Sequence, residues 1–202
     1  LVDNDVNIAS LGEREAIEID DFVFLALGTG VGMALVLDGN LRRGFNGSAG
    51  EISDLPLVTE LNTSGEFVNF QDLVSERALE SAYLSQTAMQ KGVIEIFELA
   101  KSGDSAAIKL IDDFIFNLAV GIKAISTIID PAEIVLGGGI GARADVRKMT
   151  NDQLVNLMTN PPTIRTSALG TRAGLVGAMS LALSELRKRA VIGMQPGITP
   201  PS

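Results

Sequence analysis

The chain has 202 residues, 46% of them hydrophobic, with 25 acidic and 16 basic side chains and a net charge of −9. That length builds one substantial domain or two small lobes around a packed core, and the acidic balance argues against a nucleic-acid surface, because phosphate contacts need clustered Lys and Arg. Cys and His are both absent, which excludes disulfides, thiolate or imidazole metal sites and Cys or His nucleophiles.

No apolar run reaches transmembrane length and nothing at the start reads as a signal peptide. A cytoplasmic protein without a membrane partner is expected, in keeping with the lack of Cys. Position 1 is Leu and lies inside a motif, so the chain reads as part of a longer protein.

The first residues, LVDNDVN, read as a strand end entering a polar turn, and residues 8–17 as a helix. Asn4 or Asp5 can cap that helix through a side-chain oxygen. The same pair suits chemistry: a carboxylate at a helix N-terminus stays ionised, so Asp5 can act as a general base on a hydroxyl that Asn4 helps to hold.

Residues 22–27 form an apolar strand that ends in Gly28-Thr29-Gly30-Val31-Gly32. A second strand follows over 33–37, then an Asp38-Gly39-Asn40 turn and a third strand over 41–45. Asp-Gly between apolar runs favours a hairpin. Gly47-Ser48-Ala49-Gly50-Glu51 then presents small residues before one carboxylate. Small residues let the backbone approach a ligand, and Glu51 can accept hydrogen bonds from hydroxyls.

Residues 55–58 are extended and 59–65 a polar surface loop. From Phe70 the pattern turns helical, with Leu73, Val74, Ala78, Leu79, Ala82 and Tyr83 on a core face. After a break at 86–92, a second helix spans 93–101. Asp104 or Ser105 caps a long buried helix to 129, with an apolar stripe of Ile108, Ile111, Ile115, Leu118, Ile122 and Ile125. Asp130-Pro131 ends it.

The strand–glycine pattern then recurs. Residues 133–136 form a buried strand before Gly137-Gly138-Gly139-Ile140-Gly141, a turn whose N–H groups could hold a nucleotide or its phosphates. A helix over 142–158 carries Arg143, Arg147 and Lys148 as solvated residues. Residues 163–169 alternate as an edge strand, and 170–191 form the last helix, followed by a Gly/Pro-rich disordered tail over 192–202.

In register, Asn4-Asp5-Val6-Asn7, the GTGVG turn, Gly47–Glu51, the long helix and the IVLGGG run ending at Gly139 resemble the ROK family of repressors, open reading frames and kinases. The resemblance spans nearly the whole chain as a single unit over 1–191. It implies an α/β, actin-like (ribonuclease H-like) sugar kinase fold, with a mixed sheet flanked by helices and with sugar and nucleotide bound between two lobes. It implies Asn4 as a sugar ligand, Asp5 as the catalytic base, Gly28, Thr29 and Gly30 as a phosphate-binding turn, Glu51 as a sugar-hydroxyl acceptor, and Gly137, Gly138 and Gly139 as the turn near the nucleotide.

The chain departs from the family where a glycine, a histidine and a cysteine-rich zinc segment usually follow the Glu51 position. Here Ser53-Asp54 stand there, so no zinc is expected and Asp54 replaces the histidine toward the sugar. The family's first phosphate motif, Asp-x-Gly-x-Thr, is not in this sequence. The expected function is therefore a sugar-sensing effector domain of a ROK-type transcriptional regulator, reaching DNA only through an upstream helix-turn-helix. The alternative is an ATP- and magnesium-dependent sugar kinase. The ligand is a sugar or sugar phosphate, and the apolar face of the last helix calls for a second copy of the chain as cover.

Overall fold

In the computed structural model, which describes residues 4–61, 65 and 67–193, the chain opens on helix α1 (Asp5–Ile17). This helix begins three residues before its apolar pattern does. Asn4 is the N-cap and its side-chain oxygen accepts the Val6 N–H at 2.9 Å, satisfying one of the helix's unpaired first-turn donors.

Strands β1 (Phe22–Leu27), β2 (Val31–Leu37) and β3 (Asn40–Arg42) form an antiparallel meander. β3 stops at Arg42 rather than running on to Phe45, because the chain turns away at Gly44 and leaves Phe45 in solvent. A single 3₁₀ turn (Ile52–Asp54) leads to a separate hairpin of β4 (Pro56–Leu61) and β5 (Phe67–Asn69). Thr59, Glu60 and Leu61, expected in a loop, are thus strand residues; positions 62–64 of that loop lie outside the described residues.

Four helices follow: α2 (Gln71–Val74), α3 (Glu76–Thr87), α4 (Val93–Lys101) and α5 (Ser105–Ile129). The helical run from Phe70 is broken at Ser75, whose extended backbone caps α3 while its hydroxyl accepts the Ala78 N–H at 3.1 Å. Asp104 caps α5 through the Ala107 N–H at 2.8 Å. Ile111, Ile115, Leu118, Ile122 and Ile125 are buried as their spacing predicts, but Ile108 is exposed, because the first turn of α5 turns Ala107 rather than Ile108 inward.

The chain closes with β6 (Glu133–Gly137), the one-turn α6 (Gly138–Gly141), α7 (Ala144–Leu157), β7 (Thr163–Thr166) and α8 (Ala173–Gly193). α8 runs two residues past the expected end of the last helix, and residues 194–202 of the expected tail lie outside the described residues. Arg143, expected in solvent, is instead half-buried: its guanidinium stacks 4.0 Å from the Phe97 ring centroid and forms a two-point pair with Asp145. Partial burial pushes the Asp145 carboxyl up. The Arg143 hydrogen bonds and charge, the Val146 N–H and Lys101 outweigh that effect and hold it below the usual carboxylate range.

The main sheet has the order β3-β2-β1-β6-β7, with β1, β6 and β7 parallel and the other pairs antiparallel. β1 sits at its centre, covered on both faces, which is why it reads as an unbroken apolar run. Val23, Leu25 and Leu27 join Ile134 and Leu136 in the large core that includes α5. Phe22, Phe24, Ala34, Val36 and Val135 form a second core on the opposite face, packed by Val6, Ala9 and Ile17 of α1. Behind α1 lies α8. The two meet backbone to backbone: a Cβ on Gly12 would strike the Ala173 carbonyl, and one on Gly177 the Ile8 carbonyl.

Candidate functional site

Parallel pairing of β1 with β6 sets Ala26 opposite Gly137, so both glycine turns leave the same edge of the sheet. That edge, beyond the carboxyl ends of parallel strands, is where open α/β sheets bind ligands. In the first turn the Gly28 N–H donates to the Gly30 carbonyl at 3.0 Å, and Thr29 and Gly30 face solvent. In the second, Gly138 and Gly139 are exposed while Gly137 is buried. Gly137 has a packing duty, since a Cβ there would lie 2.5 Å from Phe24 Cζ. Gly138 has φ 78° and sits on the Leu27 carbonyl, a position closed to a side chain.

The carboxylates reach the same edge by separate routes. α1 runs alongside β2: Val6 packs on Gly32, 2.6 Å from where a Cβ would sit, and Arg14 Nη1 donates to the Gly39 carbonyl at 2.5 Å. The amino end of α1, with Asn4 and Asp5 exposed, therefore lies beside the start of β2. Gly50, at φ 98°, rests on the carbonyl of Met33, the next residue along β2. Asp5 and Glu51 are each one residue from contacts with consecutive β2 residues. Glu51 and Asp54 bracket the 3₁₀ turn and are exposed, whereas Ile52 anchors that turn in the core. Residues three apart in such a turn stack on one side. The Ser53 hydroxyl donates to Asp54 Oδ1 at 3.3 Å.

The second element of the site comes from α2 and α3, which the sequence presents only as core helices. Gln71 Oε1 accepts the Val31 N–H at 3.1 Å, and the Glu76 N–H donates to the Gly28 carbonyl at 2.8 Å. These two bonds brace the first glycine turn from both ends. Thr29, Gly30, Gln71, Asp72, Ser75, Arg77 and Ser81 line a cleft of about 440 Å³ beside that turn. The available signal was Ser75: a good N-cap residue inside an apparently continuous helix marks a break, and hence a helix start, at that point.

A mixed sheet between helix layers, with glycine turns and carboxylates gathered at one strand edge, is the architecture of the actin-like sugar kinases. Among solved structures, a hexokinase from Thermus thermophilus superposes with a TM-score of 0.83 at 28% identity, covering 92% of this chain and 65% of that one. A ROK family protein from Streptococcus pneumoniae, solved in complex with sucrose, gives 0.86 at 25%, covering 92% and 66%. A glucokinase from Halalkalibacterium halodurans is 28% identical over 203 residues, 88% of this chain and 61% of its own length. A ROK transcriptional regulator homologous to the Escherichia coli MLC protein shares the fold, with a TM-score of 0.76 at 18% identity over 91% of this chain and 51% of its own.

The ROK family model matches residues 1–185, and the chain belongs to the ROK family. It spans 61% of the length of the glucokinase it matches.

Proposed function

We propose that this chain belongs to a ROK sugar kinase, in which Asp5 takes the proton from a sugar hydroxyl as that oxygen attacks the terminal phosphate of ATP and ADP leaves. The observation that carries this reading is the placement of an exposed carboxylate at the amino end of α1, alongside the strand that leaves the first glycine turn. The Asp5 carboxylate accepts the Val6 N–H at 2.8 Å, which fixes its direction. Asn4 and Glu51 would hold sugar hydroxyls, with Asp54 on the same side as Glu51.

Thr29 and Gly30 would offer N–H and hydroxyl donors to phosphate, with Gly28 closing the turn through its own N–H to the Gly30 carbonyl, and the exposed turn beside an open cleft fits such a group. Gly138 and Gly139 would lie along the nucleotide, with Gly137 setting their position. ATP with magnesium would supply the transferred phosphoryl group, and the protein's part is positioning and electrostatic stabilisation. The glucokinase and hexokinase relatives support this over the regulator.

The test is a coupled assay of the full-length protein with ATP and a hexose panel. Asp5→Asn keeps the Val6 contact but cannot act as a base, so kcat should fall by about 10²- to 10⁴-fold. Unchanged turnover would overturn the assignment.

A second reading, sugar sensing in a transcriptional regulator, is favoured by Ser53-Asp54 standing where the family's histidine is expected. Sugar would then bind without turnover and shift a DNA-binding equilibrium through its different affinity for the two states. DNA would be reached through a separate upstream module. Sugar binding by calorimetry with no phosphorylation of any hexose would favour it. Under either reading a homodimer and a cytoplasmic location are proposed; among the described residues, no helix is long and apolar enough to cross a membrane.

A further inference from the structure

The first two residues of α3 serve different glycine turns. The backbone of Glu76 is tied to Gly28, but its carboxylate stands over the other turn, with Oε1 2.5 Å from where a Cβ of Gly139 would lie. That half-buried carboxylate has neither a cation nor a hydrogen-bond donor among the described residues. Arg77 instead lines the cleft with Thr29 and Gly30, and it too lacks an ion-pair partner among the described residues. One helical turn therefore sets an acceptor at the second glycine turn and a cation at the first.

A nucleotide has the complementary polarity. Its ribose hydroxyls donate hydrogen bonds and its phosphates carry negative charge. We propose that Glu76 accepts the ribose hydroxyls of a nucleoside di- or triphosphate while Arg77 draws the phosphates toward Thr29 and Gly30, so that α3 fixes which way round the nucleotide lies. This rests on the phosphoryl-transfer reading above and adds two specificity-determining residues to it. The opposite orientation would press phosphate oxygens against an uncompensated carboxylate in a partly desolvated place, where like charges repel strongly. A carboxylate accepting hydroxyl hydrogens there makes charge-assisted bonds.

Calorimetry on the full-length protein with Mg²⁺ and ADP, 2′-deoxy-ADP, 3′-deoxy-ADP and adenosine tests this. Both alanine variants leave the backbone bond to Gly28 in place. Wild type should prefer ADP over at least one deoxy analogue by about tenfold, the loss expected for one charge-assisted hydrogen bond. Glu76→Ala should abolish that preference. Arg77→Ala should weaken ADP by about tenfold and leave adenosine unchanged. Wild type binding ADP and both deoxy analogues equally, or Glu76→Ala tightening ADP, would overturn the proposal and leave the kinase reading standing. No binding of any nucleotide would overturn both.

Discussion

Glu13 is a fully buried carboxylate with no ion-pair partner among the described residues. It is held by the Ser167 hydroxyl and by the N–H groups of Ala168 and Leu169, at 2.9 and 3.1 Å. These donors come from the loop between β7 and α8, so one side chain ties α1 to the far end of the chain. Removing it leaves three donors in a partly buried place without their acceptor, which costs more than the bonds are worth on balance. Glu13→Ala should lose about 3 kcal/mol of stability, measured by urea unfolding. Glu13→Gln, which keeps one acceptor oxygen, should lose less. A change near zero for alanine would mean that water replaces the carboxylate. The residue is legible in the sequence only as a charge on a helix; its burial depends on the β7–α8 loop 154 positions away.

At the scale of elements, the contact between α1 and α8 depends on two absent side chains. Gly12 and Gly177 let each backbone approach the other's carbonyls, and an added Cβ at Gly177 meets the Ile8 carbonyl. A backbone cannot yield as a flexible side chain can, so Gly177→Ala should cost about 3 kcal/mol in a thermal or urea melt. Gly174, with open space around its Cβ position, is the control: alanine there should be neutral or slightly stabilising.

Some elements could be read closely from the sequence. α4 has the expected bounds, and β1 and β6 are short apolar runs closed by glycine, so burial on both faces and a turn are written into the same few residues. Other features depended on distant partners. Arg143 looks like a surface charge until Phe97, on a helix 46 positions earlier, supplies its stacking face. The strand character of Thr59–Leu61 comes from pairing with β5, since Thr and Glu next to Asn, Ser and Gly read locally as loop. At the candidate site the two glycine turns and Asp5 stand out in the sequence because a glycine cluster and a carboxylate at a helix start are local features. Gln71, Glu76 and Arg77 were not, because what distinguishes them is which turn they touch.

At the scale of the whole molecule, the outer face of α8 carries more exposed large apolar side chains than any other helix among the described residues. Leu175, Met179, Leu183 and Leu186 are all exposed, and their spacing of four, four and three places them on one stripe. The inner face is already occupied by α1, so the expected demand for cover falls on this stripe rather than on the small-residue face. If a second copy supplies it, sedimentation velocity should show a dimer. Met179→Glu combined with Leu183→Glu should shift it to monomer without lowering the melting temperature. A monomer at every concentration in the unaltered protein would exclude self-association through this face.

The glycine seam behind α1 has a mechanical result. Two helices packed main chain to main chain would rock together, so α1 and α8 would act as one lever, with Asp5 at the tip and the apolar stripe along the handle. Under the kinase reading, whatever grips that handle, another subunit or another stretch of polypeptide, would also set the angle at which Asp5 meets a sugar hydroxyl. Assembly and chemistry would then be tuned by the same rotation.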